Sequence, residues 1–382
     1  MATKTGIWKL QEVRDQILAN DWVTYDASGD LTPGGTLWSW GIADYSGKLG
    51  DGAQIPRSSP VQIPGTSWND IAVSGNASAA RKTDGTLWAW GDSYYGILGT
   101  NNATIDYSSP VQIPGTSWND IAAGGNSNHF LARKTDGTLW TWGRNDSGQL
   151  GDGTAASRSS PVQIPGTSWN NIASGNYNSL ARKTDGTLWS WGYNSRGNLG
   201  DGTTIPRSSP IQVPGTTWND IAGAFLHTLA LKSDGTLWAW GDNFKGSLGD
   251  GTRIDKSSPV QVPGTSWNDV SGGNGHTLAR KTDGTLWSWG YNGWGNLGDG
   301  TANISKSSPV QIPGTSWNDM NAGTNTSFAR KTDGTLWAWG RGTGGRLGIN
   351  AIAYASSPIQ IPGTTWNDIV SSWEHSLARK SV

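Results

Sequence analysis

The sequence predicts an all-β ring: a seven-bladed β-propeller of four-stranded blades, closed by a composite blade drawn from both termini. Three observations carry that expectation. The string Gly-Thr-Leu-Trp begins at Gly35, Gly85, Gly137, Gly186, Gly235, Gly284 and Gly334, at spacings of 49 to 52 residues. A second marker, Trp-Asn-Asp/Asn, begins at Trp68, Trp118, Trp169, Trp218, Trp267, Trp317 and Trp366 in the same rhythm. Periods of roughly 40–50 residues with aromatic and glycine markers belong to propellers and solenoids. The chain also enters the pattern late and leaves it early, so its two ends complement one another.

Each period reads as four short strands, taken here from residues 110–143. Val111-Gln112-Ile113, closed by Pro114-Gly115, suits an outer strand, because proline is tolerated only at strand edges and ends. Trp118 to Ala123 is a second strand and His129 to Lys134 a third, followed by the tight turn Thr135-Asp136-Gly137. Thr138 to Trp142 is the fourth, stopped by Gly143. No segment of the repeats carries a helical period. The blades expected are 60–91, 110–143, 161–192, 210–241, 259–290 and 309–340, with a seventh joining 358–380 to 35–41. Three strands from the C-terminus and one from the N-terminus would thus close the ring and remove its open edges.

In the fourth strand the two indoles, Trp140 and Trp142, sit at i and i+2 and so share a face. The other face carries Leu and a small residue (Ser39, Ala89, Thr141, Ser190, Ala239, Ser288 or Ala338). Twenty-one of the 25 Trp occupy three fixed places per repeat, which assigns them to the core between blades.

The composition narrows the function. With 28 Lys+Arg against 29 Asp+Glu, the chain lacks the basic excess a nucleic-acid clamp needs. No apolar run approaches the roughly 20 residues required to cross a bilayer. Residues 1–21 lack the apolar core of a signal peptide. The absence of Cys removes disulfide and thiol chemistry.

The succession Gly273-Asn274-Gly275-His276-Thr277-Leu278-Ala279, then Asp283 to Gly290, then Asn292 to Gly298, resembles regulator-of-chromosome-condensation repeats. Seven copies agree in phase over residues 35–380, and the resemblance implies a seven-bladed propeller. The family's founder activates a nuclear GTPase and docks on nucleosomes through basic elements, which this neutral chain lacks. A plant ultraviolet receptor of the family relies on several Gly-Trp-Arg-His-Thr motifs; here a single stretch approaches them, Ser372-Trp373-Glu374-His375-Ser376, without the Arg. A secreted bacterial member inhibits β-lactamase through aromatic-rich loops on one face, a precedent for a binding face.

Catalytic patterns fail on inspection. Gly340 to Gly345 fits G-x-G-x-x-G, but no helix follows it. Gly41 to Leu49 imitates a phosphate-binding loop with one residue too many, and Leu49 stands where Ser or Thr should bind magnesium. His129, His227, His276 and His375 fall at one phase of four different repeats, which suits buried structural histidines better than converging zinc ligands. Asp51, Asp152, Asp201, Asp250 and Asp299 recur in Leu-Gly-Asp-Gly turns, where a carboxylate holds the turn. No enzyme, no cofactor and no metal site is expected.

Positions at which the repeats disagree point to a binding surface. The loops after the fourth strands carry Tyr94, Tyr95, Arg144, Tyr193, Arg196, Phe244, Lys245, Tyr291, Trp294 and Arg341, residue types that dominate interaction hot spots. These loops should share one face. A second set, before each Ser-Ser-Pro, carries Arg57, Tyr107, Arg158, Arg207, Lys256, Lys306 and Ala355, a mildly basic ring.

Residues 1–34 lie outside the period and form an N-terminal extension to the propeller of 35–382. Leu10, Val13 and Ile17 follow helical spacing after Trp8, predicting a short amphipathic docking helix. The run Gly6 to Arg14 resembles openings of virion structural proteins of marine bacteriophages. The expectation is a non-enzymatic binding or structural propeller, a bacteriophage tail or head accessory protein. It would sit on the virion or an extracellular surface, after synthesis in the cytoplasm without a signal peptide. Its partner would be a protein, a virion component or host surface. The alternatives are a bacterial interaction or inhibitor propeller and a glycan-binding module using Tyr94, Tyr95 and Trp294.

Overall fold

The computed structural model describes residues 35–43, 46–124 and 127–380. Tight backbone approaches decide where each strand ends. Gly143, for example, has φ of 100°, and a Cβ there would stand 2.5 Å from the Asn128 carbonyl oxygen. Only glycine allows the two chain segments to come so near.

Seven blades result, each antiparallel throughout. Blade 2 is typical: inner strand Trp118–Ala123, second strand His129–Lys134, third strand Leu139–Gly143 and outer strand Arg158–Ile164, hydrogen-bonded in that order. Blades 1 and 3 to 6 begin at Trp68, Trp169, Trp218, Trp267 and Trp317. The strands fall into five four-stranded sheets and one of seven strands, in which the continuous strand Arg57–Ser74 serves two blades.

The seventh blade is composite, as the chain ends require, but its strands are shared two and two rather than three and one. Trp366–Ser371 and His375–Lys380 pair with Gly35–Gly41, which in turn pairs with residues 57–63. Every expected blade boundary is therefore displaced by one strand. Outer strands belong to the blade before them: Gly143 pairs with Arg158, Thr141 with Val162 and Trp140 with Gln163. The loop from 144 to 157 is long enough to change blades, yet it leans on the neighbour and returns. It is the short Pro165-Gly166-Thr167-Ser168 link that crosses, and Trp169 N–H then bonds the Gly137 carbonyl of the preceding blade.

Neighbouring blades are stitched at one carbonyl. In the blade 4–5 interface the Ser247 carbonyl accepts from Trp289 Nε1 at 2.9 Å and from Thr277 Oγ1 at 2.9 Å. The Lys48, Gln149, Asn198 and Asn296 carbonyls repeat this with Trp90 and Ser78, Trp191 and Ser179, Trp240 and Thr228, and Trp339 and Ser327. Apolar clusters bridge blades in the same way; Leu131, Leu139 and Ile164 of blade 2 pack with Trp169, Ile172 and Trp191 of blade 3.

The core assignment of tryptophan needs one correction. The inner-strand Trp and the second Trp of each third strand are buried, whereas Trp38, Trp88, Trp140, Trp189, Trp238, Trp287 and Trp337 are half-buried on the lateral rim. The pleat places both third-strand indoles on one face, but the first lies nearer the strand's outer end, where no neighbouring blade covers it.

The four histidines complete the interfaces. His276 Nε2 lies 3.0 Å from Ser327 Oγ, whose own proton goes to Asn296, so His276 carries the Nε2 proton. His129, His227 and His375 meet Ser179, Thr277 and Ser78 alike. Burial pushes His276 down to about 4. In the unfolded chain it titrates near 6.5, so its contribution is whole above pH 6.5 and is lost as pH falls toward 4. His276→Gln keeps a donor near Ser327 without the charge. Relative to this variant, the native protein is expected to lose about 3 kcal/mol between pH 6.5 and 4, read from urea midpoints at each pH. The comparison with the variant is needed because Asp70 and Asp319, raised to about 7 by burial foremost, act in the opposite direction.

Candidate functional site

The inner strands surround a narrow channel of about 220 Å³ whose two mouths differ. At one mouth Asp70, Asp120, Asp269, Asp319 and Asp368 each meet the Arg of their own blade, at 3.4 to 3.9 Å. Two blades depart from this in a compensating way. Blade 3 has Asn171 in place of the Asp, and blade 4 has Leu231 in place of the Arg. Asn171 Nδ2 donates to Asp220 at 2.9 Å, and Arg182 reaches across to the Trp218 carbonyl at 3.4 Å. Charge balance round the ring is kept, which marks these ion pairs as a unit of the inner wall.

The variable loops stand round the other mouth. After each third-strand glycine, the next residue donates its N–H to the inner loop of the same blade. Arg144 bonds the Asn128 carbonyl, Tyr193 that of Tyr177, Tyr291 that of Gly275 and Arg341 that of Asn325, at 2.7 to 2.9 Å. This fixed anchorage presents the seven variable side chains in a circle.

Between blades 1 and 5 they merge into one aromatic and cationic arc. Tyr94 and Tyr95 lie 4.3 Å apart, and Tyr95 adopts a left-handed φ of 63°, unusual for a bulky residue. The Arg144 guanidinium lies 5.2 Å from the Tyr95 ring and 5.1 Å from Tyr177, and Asp146 holds it at 2.8 Å through Nε. Tyr177 continues to Tyr193 at 5.9 Å and to Phe225 at 6.4 Å. Beyond Phe225 a hollow of about 430 Å³ is lined by Asp242, Lys245, Asn274 and Tyr291. Lys245 stands 4.7 Å from the ring of the exposed Phe244 and 5.8 Å from Tyr291. Arg196 is exposed and bridges Asp255 at 3.2 Å and Asp242 at 4.0 Å. Burial, then Asp255, lifts the Asp242 carboxyl above its usual range, with Arg196 opposing both. Trp294, Arg341 and Tyr354 form a second group: the Arg341 guanidinium lies 5.0 Å from the Trp294 ring, and the Trp294 and Tyr354 rings are 5.2 Å apart.

Tyr177, Phe225 and Tyr354 were not among the residues expected. The first two lie on inner loops, where the repeats also disagree: the place of Phe225 is taken elsewhere by Gly75, Ser127, Asn176, Asn274, Thr324 and Trp373. That variability was signal enough to find them. Trp8, Leu10, Val13 and Ile17 lie outside the described residues.

The expected basic ring is largely neutralised. Arg57, Arg158, Arg207 and Lys256 pair with the turn carboxylates Asp51, Asp152, Asp201 and Asp250 at 2.7 to 3.9 Å. Gly340 to Gly345 ends in a 3-10 turn over Thr343–Gly345 within a loop of blade 6. Among the described residues no group of three or more His, Cys, Asp or Glu could hold a metal ion.

A family model described as RCC1-like domain matches residues 27–320, and one described as regulator of chromosome condensation (RCC1) repeat matches 333–379. Human WBSCR16 is similar in structure, with a TM-score of 0.80 at 19% identity over 91% of this chain and 99% of that one. Prp20p from Saccharomyces cerevisiae gives 0.79 at 20% identity, covering 92% of each chain. Yeast RCC1 (Prp20) bound by Kap60 gives 0.80 at 19% identity, over 100% of this chain and 95% of that one. At such identities the likenesses show the fold.

Proposed function

Because this chain belongs to the RCC1-like domain family, we propose that it is a non-catalytic, protein-binding propeller that docks its partner on the aromatic face. The observation that carries this reading is the arc from Tyr94 to Tyr291. Rings already ordered by Arg144 and Lys245 offer large contact area at small entropic cost, and Tyr and Arg are the residues on which interfaces concentrate their energy. Binding studies of Prp20p with Gsp1p and histones, and Kap60 bound to yeast RCC1, support the use of this fold for holding proteins.

Once a protein partner is captured from the producing cell with the full chain, Arg144→Ala and Tyr291→Ala are each expected to weaken that complex by about 10- to 100-fold, measured by titration calorimetry. Their unfolding midpoints should stay near the native value, since both side chains lie on the surface of the blades. Undiminished affinity in both variants contradicts the assignment of this face.

The resemblance of residues 6–14 to marine bacteriophage proteins favours a finer reading, an accessory protein of a virion tail or head exposed on its surface. Its presence at fixed copy number in purified particles, by mass spectrometry, is the expected result. Particles without it would leave a bacterial interaction or inhibitor propeller as the better account.

A further inference from the structure

We propose that Lys48 and Glu374 form an ionic key that selects which strand closes the ring. The closing strand cannot make that choice by itself. Gly35–Gly41 reads Gly-Thr-Leu-Trp-Ser-Trp-Gly, the same seven residues as 186–192 of blade 3 and 284–290 of blade 5. The strand it must meet is hardly more distinctive: His375–Lys380 and His276–Lys281 differ only at Ser376 and Thr277. Strands so alike make alternative closures nearly equal in energy, with a third strand of another blade, or of a second molecule, in the place of Gly35–Gly41.

The residues beside the strands do differ. In blade 7 the residue before the Leu-Gly of the loop is Lys48, and the residue before the second strand is Glu374. The same two places hold Gln149 and Asn128 in blade 2, Asn198 and Tyr177 in blade 3, and Ser247 and Leu226 in blade 4. No other blade has opposite charges there, and Glu374 is the only glutamate in the chain beyond Glu12.

Lys48 is 0% exposed; its ammonium pairs with the partly buried Glu374 carboxylate and donates to Asn76 Oδ1 of blade 1 at 3.2 Å. The cation thus comes from the N-terminal part of the composite blade and the anion from its C-terminal part. The backbone joins at the same point, where Ile42 N–H bonds the Glu374 carbonyl at 2.9 Å. In blades 3, 4 and 5 the corresponding Asn198, Ser247 and Asn296 donate to carbonyls of their own loops, and so carry no information between strands. Arg346, the other cation at this place, is bonded to Thr343 of its own loop. A foreign third strand followed by a neutral residue leaves Glu374 without its cation, and Gly35–Gly41 seated in another blade buries Lys48 without a carboxylate. Separating a buried charge from its partner is costly, whereas neutral side chains in place of both are often tolerated. The pair therefore acts on the choice of strand more than on stability.

The test transplants the blade 2 residues, Lys48→Gln with Glu374→Asn, into a full chain that also carries Thr36→Cys and Lys380→Cys. The last two positions pair across the closing ladder, so their disulfide reports correct closure. The protein is refolded from urea by dilution and then oxidised. Relative to the same chain with Lys48 and Glu374 retained, it is expected to keep its urea midpoint. It should nevertheless leave at least about tenfold more protein uncrosslinked or crosslinked between molecules. The reversed pair, Lys48→Glu with Glu374→Lys, should bring the yield back towards that of the native pair. The proposal is overturned if the transplanted protein crosslinks as completely as the native pair, or if its losses follow a lowered urea midpoint. It is equally overturned if the reversed pair closes no better than the transplanted one.

Discussion

Trp289→Ala is expected to destabilise the protein by about 4 kcal/mol, whereas Trp287→Ala, two residues earlier in the same strand, costs about 1–2 kcal/mol. Trp289 is 0% exposed, lies 6.0 Å from the Trp267 ring and donates to the Ser247 carbonyl across the blade interface. The neighbouring loop is shaped round it: a Cβ on Gly249 would lie 2.6 Å from its Nε1. Removing the indole leaves a cavity that a backbone so closely fitted cannot collapse to fill, and deprives Ser247 of one of two donors. Trp287 is half-buried, bonds only Thr285 of its own strand approach and stacks on Lys281 at the rim. Urea midpoints of the two variants measure the difference. Equal losses would contradict the division between interface and rim indoles.

That division shows what was legible in the residues alone and what was not. The period of Gly-Thr-Leu-Trp placed the third strands, and the chain ends announced a composite blade, because repetition exposes topology without any knowledge of packing. Strand allotment is not legible at the Arg158–Ile164 strand, since a loop's length does not say whether it returns to the same sheet. Only the pairing of Gly143 with Arg158 decides that. The aromatic face was half legible. Tyr94, Tyr95, Arg144 and Tyr291 stood out as departures from a fixed repeat, but Tyr177 and Phe225 lie in a different loop and join them only through folding. The ion-pair ring at the opposite mouth also leaves a trace in the residues. Asn171 and Leu231 break the pattern in adjacent repeats, each removing one member of a pair, and hydrogen bonds from Asn171 to Asp220 and from Arg182 to the Trp218 carbonyl join the two blades instead.

Closure of the ring by the two ends of the chain is the claim on which every assignment of inner, outer and facing residues depends. It makes a second prediction of large effect. Thr36 and Lys380 are paired across the antiparallel ladder of blade 7, and paired residues stand about 5.5 Å apart or closer. That lies inside the span of a disulfide. Both positions are only partly buried, and the chain has no other Cys to compete. Thr36→Cys combined with Lys380→Cys therefore ties the C-terminal strand to the N-terminal one and encloses nearly the whole propeller in one covalent loop. Constraining so long a loop in the unfolded chain should raise stability by about 5 kcal/mol on oxidation. The direct measurement is oxidation of the dilute double variant, followed by non-reducing electrophoresis and thermal unfolding. The account predicts a monomer of altered mobility in near-quantitative yield, melting well above its reduced form. Free thiols persisting, or crosslinks forming only between molecules, would show that the ends do not meet in one blade.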